Sequence, residues 1–383
     1  MYYITVKQPP QYHQMTLEEF LFGTNVQTLI SSNTTNTRTY EVECVSDRFL
    51  NTISINRLIT KIKDFNKEAD YLRKIPRKDL YYEFYIPKKS GGLRRIDAPN
   101  DNLKEQLSKL VDIFKNDFCA LYHTSAFAYV EGRCTLDALK RHQSNNSKWF
   151  GKYDLSNFFG STTLEFVMNM FSMIFPFSEV IKDEEGKKEL EMALELAFMD
   201  GVLPQGTPAS PLITTIMMIP IDFCLNRKLI EHNHQRFIYT RYADDFQISS
   251  RYGFNFKEIE NIISETLNEF GAPFKINKEK TRYGSSSGQN WNLGLMLNKD
   301  NDITVGYKNK KRFQAMVSSY VMDKKNGVNW EINDIQRLDG IRSYYKSVEG
   351  EKIDSIIEHL SQKFNVNIMK MIKKDLNPNY TYD

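Results

Sequence analysis

Residues Phe237 to Ser250 read FIYTRYADDFQISS, and the fold of the whole chain turns on how this stretch is read. Phe237, Ile238 and Tyr239 lead in and Phe246 and Ile248 lead out as two short strand-forming runs, so the turn between them carries Asp244 and Asp245 side by side. That is a β-hairpin with two carboxylates at its tip. Adjacent acids repel, and each makes the other harder to ionise, so a fold that presents them together needs a balancing cation, for which a divalent metal is the natural candidate. The plain alternative is a solvated Asp-Asp turn, since Asp is a favoured turn residue. The surrounding motifs decide between the two.

Ninety residues upstream of Asp244, WFGKYDLSNFF (Trp149–Phe159) reads as a strand with Asp154 near its end. An acid in an apolar, aromatic strand is unfavourable unless it ligates something or points into a solvated cleft. Between the acid-bearing segments lie helical stretches around Leu164–Phe175 and Lys187–Met199, joined by KDEEGKK, which reads as a solvated turn. GVLPQGTPASPLITTIMM follows, a rigid loop built on Gly201, Pro204, Gly206 and Pro208 in which backbone can approach a ligand closely. Gln205 projects from the loop, and a helix opens at Ala209 and Ser210 and runs on to Cys224. One acid on a strand and two on a later hairpin allow adjacent strands of one sheet to gather three carboxylates. Two Mg²⁺ ions about 3.5–4 Å apart could bridge them, one activating an attacking hydroxyl and the other stabilising a leaving pyrophosphate. The chemistry expected is nucleotidyl transfer.

Nearer the N-terminus, YYEFYIPKKSGGLRRIDAP (Tyr81–Pro99) is strand, Ser-Gly-Gly turn, strand, with Lys88, Lys89, Arg94 and Arg95 around the tip. Such cations grip a triphosphate, Arg by bidentate contacts and Lys as a point charge, or form a solvated basic turn. No Walker-type GxxxxGK[ST] is present, which disfavours P-loop chemistry. Leu103–Phe118 has helical spacing, and SAFAYVEGRCTLDALKRH (Ser125–His142) reads as a short strand, a Gly132 turn and a helix. Its Arg133, Lys140, Arg141 and His142 could follow a phosphate backbone, with His142 structural or a phosphate contact, not a catalyst.

After the acidic hairpin, FKEIENIISETLNEF is an amphipathic helix closed by Gly271, FKINKEKTRYG presents Lys280, and WNLGLMLN (Trp291–Asn298) is a short strand or hairpin. From Tyr307 the chain reads as helices with basic and aromatic faces. The first 75 residues carry a polar stretch, SSNTTNTRTY, read as a loop or exposed hairpin, between the helix-like MTLEEFLFG and DRFLNTISINRLITKIKDF.

Composition bounds the rest. The 383 residues are 41% hydrophobic and 26% charged, the profile of a globular protein long enough for several lobes. With 25 Phe and 21 Tyr there is ample flat surface for packing or base stacking, and a net charge of only +3 means that any nucleic acid must be held by local basic clusters. The four cysteines form no CxxC pair and read as reduced thiols. No secretory leader and no membrane-length apolar run is evident, so a cytoplasmic, membrane-free location is expected.

The motifs together resemble those of bacterial reverse transcriptases of the retron, group II intron and phage-defence kind. IPKKSGGLRRI is similar to the fingers motif, YDLSNFF to the first palm motif, LPQGTPASP to the loop and helix after it, YADD to the metal hairpin, and INKEKT and WNLGL to the last palm motifs and primer grip. These blocks stand in family order over about residues 80 to 300. The resemblance implies an α+β right-hand polymerase, with an N-terminal extension (1–75), fingers (76–148), an antiparallel-sheet palm (149–304) and a helical thumb (305–383). It implies RNA-directed DNA synthesis from dNTPs with an RNA template, a dedicated non-coding RNA being one option, and a DNA primer or product. The cofactors would be two Mg²⁺ ions, with Mn²⁺ able to substitute. In the implied site, Asp154, Asp244 and Asp245 ligate metal with the Leu155 carbonyl. Lys88 and Arg94 hold the triphosphate, Gln205 faces the nucleotide, Phe159 fills the place of its 2′ edge, and Lys280 protonates the leaving pyrophosphate.

Departures narrow the subfamily. QGTPASP keeps a final Pro where diversity-generating enzymes typically have Gln, which disfavours that class, and DALKRH and NLGL stand where retron enzymes usually carry Asn-Ala-x-x-His and Val-Thr-Gly, which disfavours a standard retron enzyme. No endonuclease-like tail follows the thumb, so elimination favours an antiviral enzyme. Rival readings are an RNA-synthesising or untemplated polymerase and an inactive RNA-binding palm. Tyr380 and Tyr382 at the C-terminus offer hydroxyls that could prime synthesis.

Overall fold

A computed structural model describes residues 55–87, 91–116, 122–232, 236–288 and 293–377. The expectations for the N-terminal polar loop, Lys88, Lys89, Trp291, Tyr380 and Tyr382 lie outside these residues. From Ile55 to Arg73 apolar side chains recur at Leu58, Ile59, Ile62, Phe65, Ala69 and Leu72, and that stripe makes and buries helix α1 (Ile55–Arg73). Strands β1 (Tyr81–Pro87) and β2 (Leu93–Pro99) pair antiparallel in register from Tyr81 with Pro99 to Pro87 with Leu93. Gly91 and Gly92, at φ +88° and +76°, permit the reversal. Helix α2 (Asp101–Asn116) buries Leu103, Leu107, Leu110 and Phe114.

The strand expected at Ser125–Val130 does not form. Tyr129 (φ +60°) and Gly132 (φ +72°) break the extended backbone, leaving a single parallel bridge from Ala126 to Arg241. Helix α3 (Thr135–Ser144) and strand β3 (Trp149–Asp154) follow. The strand expected to reach Phe159 stops at Asp154, because Asn157 is left-handed (φ +49°) and Phe158–Ser161 curl into the single turn α4.

Helices α5 (Leu164–Phe171), α6 (Phe177–Lys182) and α7 (Glu184–Glu195) come next. KDEEGKK is therefore a helix start, not a solvated turn. Asp183 caps α7 by accepting from the Gly186 amide at 2.7 Å, and Glu184 and Glu185 sit where the helix dipole favours acids. The helix predicted from Ala209 to Cys224 is two helices, α8 (Ala209–Met217) and α9 (Ile219–Glu231), bent by 41° where Pro220 opens α9. No single helix among the described residues is long and apolar enough to cross a membrane.

Strands β4 (Phe237–Tyr242) and β5 (Asp245–Ser250) form the predicted hairpin. After α10 (Phe256–Glu269) and β6 (Arg282–Ser285), the four-stranded sheet has the order β4–β5–β3–β6. The chain continues through the small β7 (Met296–Leu297) and β8 (Ile303–Thr304) hairpin to α11 (Tyr307–Lys325), α12 (Ile332–Phe364) and α13 (Ile368–Leu376).

Two compact units emerge. The first holds the described residues up to Arg133 with Lys152–Ile248 and Asn255–Arg282, and the second holds Cys134–Gly151, Ser249–Phe254 and the described residues from Tyr283. In the first, Phe114, Phe171 and Phe177 meet with ring centroids 4.3–6.2 Å apart, and α8 packs on α2 and α5. In the second, α11, α12 and α13 share a core that includes Val317, Leu338 and Ile357, while Leu139, Phe150, Leu295 and Leu297 form another. Helix α12 kinks at Glu349–Gly350, and the Glu349 carboxylate accepts from the Val305 amide (2.9 Å), Thr304 Oγ1 (2.8 Å) and Lys310 Nζ (2.8 Å).

Candidate active site

The acids are brought together by main-chain bonds within the first unit. Asp154 ends β3, and the next residue, Leu155, donates its amide to the Asp244 carbonyl at 3.0 Å. The hairpin tip is thereby tied to the strand end. Ala243 takes the left-handed conformation there (φ +56°), and its carbonyl accepts from Arg241 Nη1 at 3.3 Å. A third segment closes the group: the Asn277 amide donates to the Asp154 carbonyl (2.7 Å) and Ser156 to that of Lys275 (2.8 Å). Asn277 Oδ1 then accepts from the Glu279 and Lys280 amides, a side-chain turn that carries Lys280 back toward the strand. Lys280 Nζ lies 3.1 and 2.9 Å from the two oxygens of Asp154, which is buried.

The electrostatics are uneven. Burial, then the charge of Asp245, pushes the Asp244 carboxyl up to about 6, with Asp154 adding to the rise. Asp245 is also raised by burial, against the pull of Lys152, whose Nζ sits 3.0 Å from Oδ2. The other oxygen, Asp245 Oδ1, is buried without a hydrogen-bond partner. Asp154 and Asp245 are thus each ion-paired to a lysine, whereas Asp244 has no such pair and Lys280 offsets only part of its rise. Among the described residues no group of three or more His, Cys, Asp or Glu stands in metal-ligating geometry as it is. The donor set is nevertheless all carboxylate oxygen, which would suit a hard divalent cation.

The other expected residues are placed less closely. The Gln205 carbonyl accepts from the Asp97 amide at 2.8 Å, docking its loop on β2, and Gly206 (φ +117°) makes this possible because a Cβ there would lie 2.8 Å from Ile96. Arg94 is exposed on β2, whereas Arg95 is taken up by Glu83 and Asp97. Phe158 is core, its ring 4.8 Å from that of Phe274, and Phe159 is half-buried beside it. Among the described residues, no hydrogen bond or ion pair joins Gln205 or Phe159 to the acids.

Two of the expected phosphate followers are structural. Arg133 turns inward to the carbonyls of His123 and Ala126 (both 2.7 Å). His142 is fully buried, its Nδ1 2.6 Å from Ser249 Oγ, and burial depresses its pKa to about 3, so it stays neutral. Conversely, sequence reasoning passed over Lys152, Tyr129 and the Asp222–Arg241 pair. Tyr129 is 49% exposed on a left-handed backbone, and its hydroxyl is raised by burial and then by the charge of Asp244. The signal for the pair was visible: one charge in each of two apolar runs, IPIDFCL and FIYTRY.

Three acids on abutting strand ends, within a mixed helix and antiparallel-sheet fold, are the arrangement that nucleotidyl transfer of the polymerase kind would use. Comparison with known proteins makes the class specific. Residues 86–317 match the model of the family described as reverse transcriptase (RNA-dependent DNA polymerase), and the chain belongs to that family. It is similar to the Retron Ec83 reverse transcriptase of Escherichia coli, 27% identical over 333 residues that span 82% of this chain and 96% of the relative. It is likewise similar to the Retron Ec73 reverse transcriptase of Escherichia coli, 30% identical over 274 residues, or 69% and 82% of the two chains. The reading of DALKRH and NLGL as setting the chain apart from standard retron enzymes is therefore corrected: the relatives it matches are retron reverse transcriptases. A telomerase from Candida albicans, solved with a fragment of telomeric RNA, aligns with a TM-score of 0.41 at 14% identity over 82% of this chain and 63% of that one. The protein is an RNA-directed DNA polymerase.

Proposed function

We propose that Asp154 and Asp244, with Asp245 in a lesser part, hold two Mg²⁺ ions, replaceable by Mn²⁺, and that the chain extends a DNA primer with dNTPs on an RNA template. The observation that supports this best is the Leu155 amide bonded to the Asp244 carbonyl, which sets two acid-bearing strand ends side by side. When bound, the ions would supply Lewis-acid activation of the attacking hydroxyl and neutralise the leaving pyrophosphate. The chain does the rest. Lys280, whose ammonium lies 2.9 Å from Asp154 Oδ2, would be the proton donor for the leaving pyrophosphate. Arg94 and Lys88 clamp the triphosphate, the Gln205 loop bounds the nucleotide, the Leu155 carbonyl completes the ligand set, and Phe159 lies under the ribose.

Extension of oligo(dT) on poly(rA) by the full chain tests this. dTTP incorporation that needs both template and Mg²⁺ is expected, and is lost on chelation. Synthesis without template, or equal use of UTP, would favour the rival polymerases. We also assign the enzyme to antiviral defence, on the resemblance of its motifs to phage-defence reverse transcriptases. Phage plating on cells expressing the native chain or its Asp244→Asn variant checks that role, which requires protection by the native chain alone.

A further inference from the structure

A cleft of about 610 Å³ opens in the second unit, lined by none of the residues assigned a role above. That volume is of the size that holds small ligands. It is formed by residues that precede β3 and follow β5, whereas the acids lie at the other ends of those strands in sequence. Its walls are fixed to one another. Gln143 Nε2 donates to the Asn301 carbonyl (2.8 Å), and Asn301 Nδ2 donates back to the Gln143 carbonyl and to Asn146 Oδ1 (both 2.9 Å). The β7–β8 tip is further held by Asn298 Oδ1, which accepts from the Asp300 and Asp302 amides. Lys148 is anchored at both backbone groups, by the Ser250 carbonyl (2.9 Å) and the Ser286 amide (2.7 Å).

Into this rigid frame project Lys148, Arg251 and Lys299, with Asp300 the one carboxylate in the lining. None of the three cations has an ion-pair partner among the described residues. Tyr252 stands at the same cleft with 66% of its surface exposed, and Asn301 Oδ1 is buried without a hydrogen-bond donor. Excess positive charge and an exposed aromatic ring are elements of single-strand recognition.

We propose that this cleft binds a single-stranded ribonucleotide segment, with phosphates on Lys148, Arg251 and Lys299 and a base against Tyr252. The site shares no residue with the polymerase centre and does not depend on the metal assignment. The same chemistry is offered by an RNA strand and by a free nucleotide.

Binding of a labelled single-stranded (rU)12 to the full chain, followed by fluorescence anisotropy across a salt series, tests the proposal. Each phosphate contact on a single strand contributes roughly 0.7 to the slope of log affinity against log salt, so the Lys148→Ala/Arg251→Ala/Lys299→Ala variant should lose about 2 from that slope. Tyr252→Ala should weaken binding about tenfold with little change in slope. Lys148→Arg/Lys299→Arg should bind as the native chain does, and all variants should melt normally because the altered side chains are exposed. Displacement of the probe by millimolar UMP from the native chain identifies a free-nucleotide site, and resistance to UMP identifies a strand site. An unchanged slope and affinity in the triple variant, or equal loss in the arginine variant, overturns the inference. Failure of primer extension would bear on the metal assignment alone.

Discussion

Asp222 and Asp244 approach the same strand under opposite terms. Asp222, on α9, is wholly buried and wholly satisfied: Oδ1 accepts from Tyr239 Oη (2.7 Å) and Arg241 Nε (2.8 Å), and Oδ2 from Arg241 Nη2 (2.7 Å). Asp244, three residues beyond Arg241, is largely buried beside two other acids and has no lysine of its own, so its proton is held up to about 6. A buried charge with a full set of partners is structural, and one kept short of them marks a site waiting for a ligand. The two are mechanically joined, because the guanidinium that satisfies Asp222 also holds the Ala243 carbonyl in the left-handed turn. The paired acid props the position of the unpaired one.

The largest test of this contrast is Asp244→Asn, which keeps shape and removes the charge that metal needs. Primer extension should fall roughly a thousandfold or more, about 4 kcal/mol of transition-state stabilisation, with melting unchanged or higher. Asp154→Asn should match it, and Asp245→Asn, whose partner is already Lys152, should be milder. Near-normal synthesis by Asp244→Asn would remove the functional half of the comparison.

Arg241→Met breaks the other half. It strands Asp222 as a buried, unpaired charge and should lower unfolding free energy by about 3–5 kcal/mol in urea titration, while Arg241→Met/Asp222→Leu should recover most of the loss. A single variant as stable as the native chain would show that the pair is dispensable.

Phe159→Ala probes the sugar face. An aromatic ring against a 2′-hydroxyl leaves that group unsatisfied at about 1–3 kcal/mol, so single-nucleotide kinetics should show a ten- to hundredfold relative gain for rNTPs. Phe158→Ala, which removes a core ring packed on Phe274, should chiefly destabilise. A discrimination shift in Phe158→Ala instead would mean that the two rings are assigned in the wrong order.

The smallest effect is in pH. Since the folded carboxyl of Asp244 titrates at about 6, above its ordinary 3.8, the fold binds its proton more tightly than the unfolded chain does. Metal-free stability should therefore fall as pH rises through that window, relative to Asp244→Asn, and the gap between the two proteins should level off above about 6. With part of the group in water the gap is on the order of 1–2 kcal/mol, measurable by urea titration at a series of pH values. A gap that stays constant from pH 4 to 7 would show that Asp244 is not perturbed.

What the sequence determined by itself is local: the hairpin at Phe237–Ser250 with its acids, the acid at the end of the Trp149 strand, the basic β1–β2 hairpin and the helical C-terminal region. Strand period, turn chemistry and helical spacing are set by neighbours within a few residues, so each can be read along the chain. The motifs in their order then pointed to the family. Local reading erred where a short-range rule met a tertiary one. KDEEGKK looks solvated by its charges, yet Asp183 caps a helix whose Gly186 is packed where a Cβ would lie 2.6 Å from the Val180 carbonyl. The strand read through Phe159 is ended by the left-handed Asn157. Only the tertiary structure decided which charges are partners. Lys280 reaches Asp154 across 126 residues, Arg241 rather than solvent takes Asp222, and Lys152 settles on Asp245. Coulomb pairing depends on distance in space and on how much water the fold removes, and neither quantity is written in spacing along the chain.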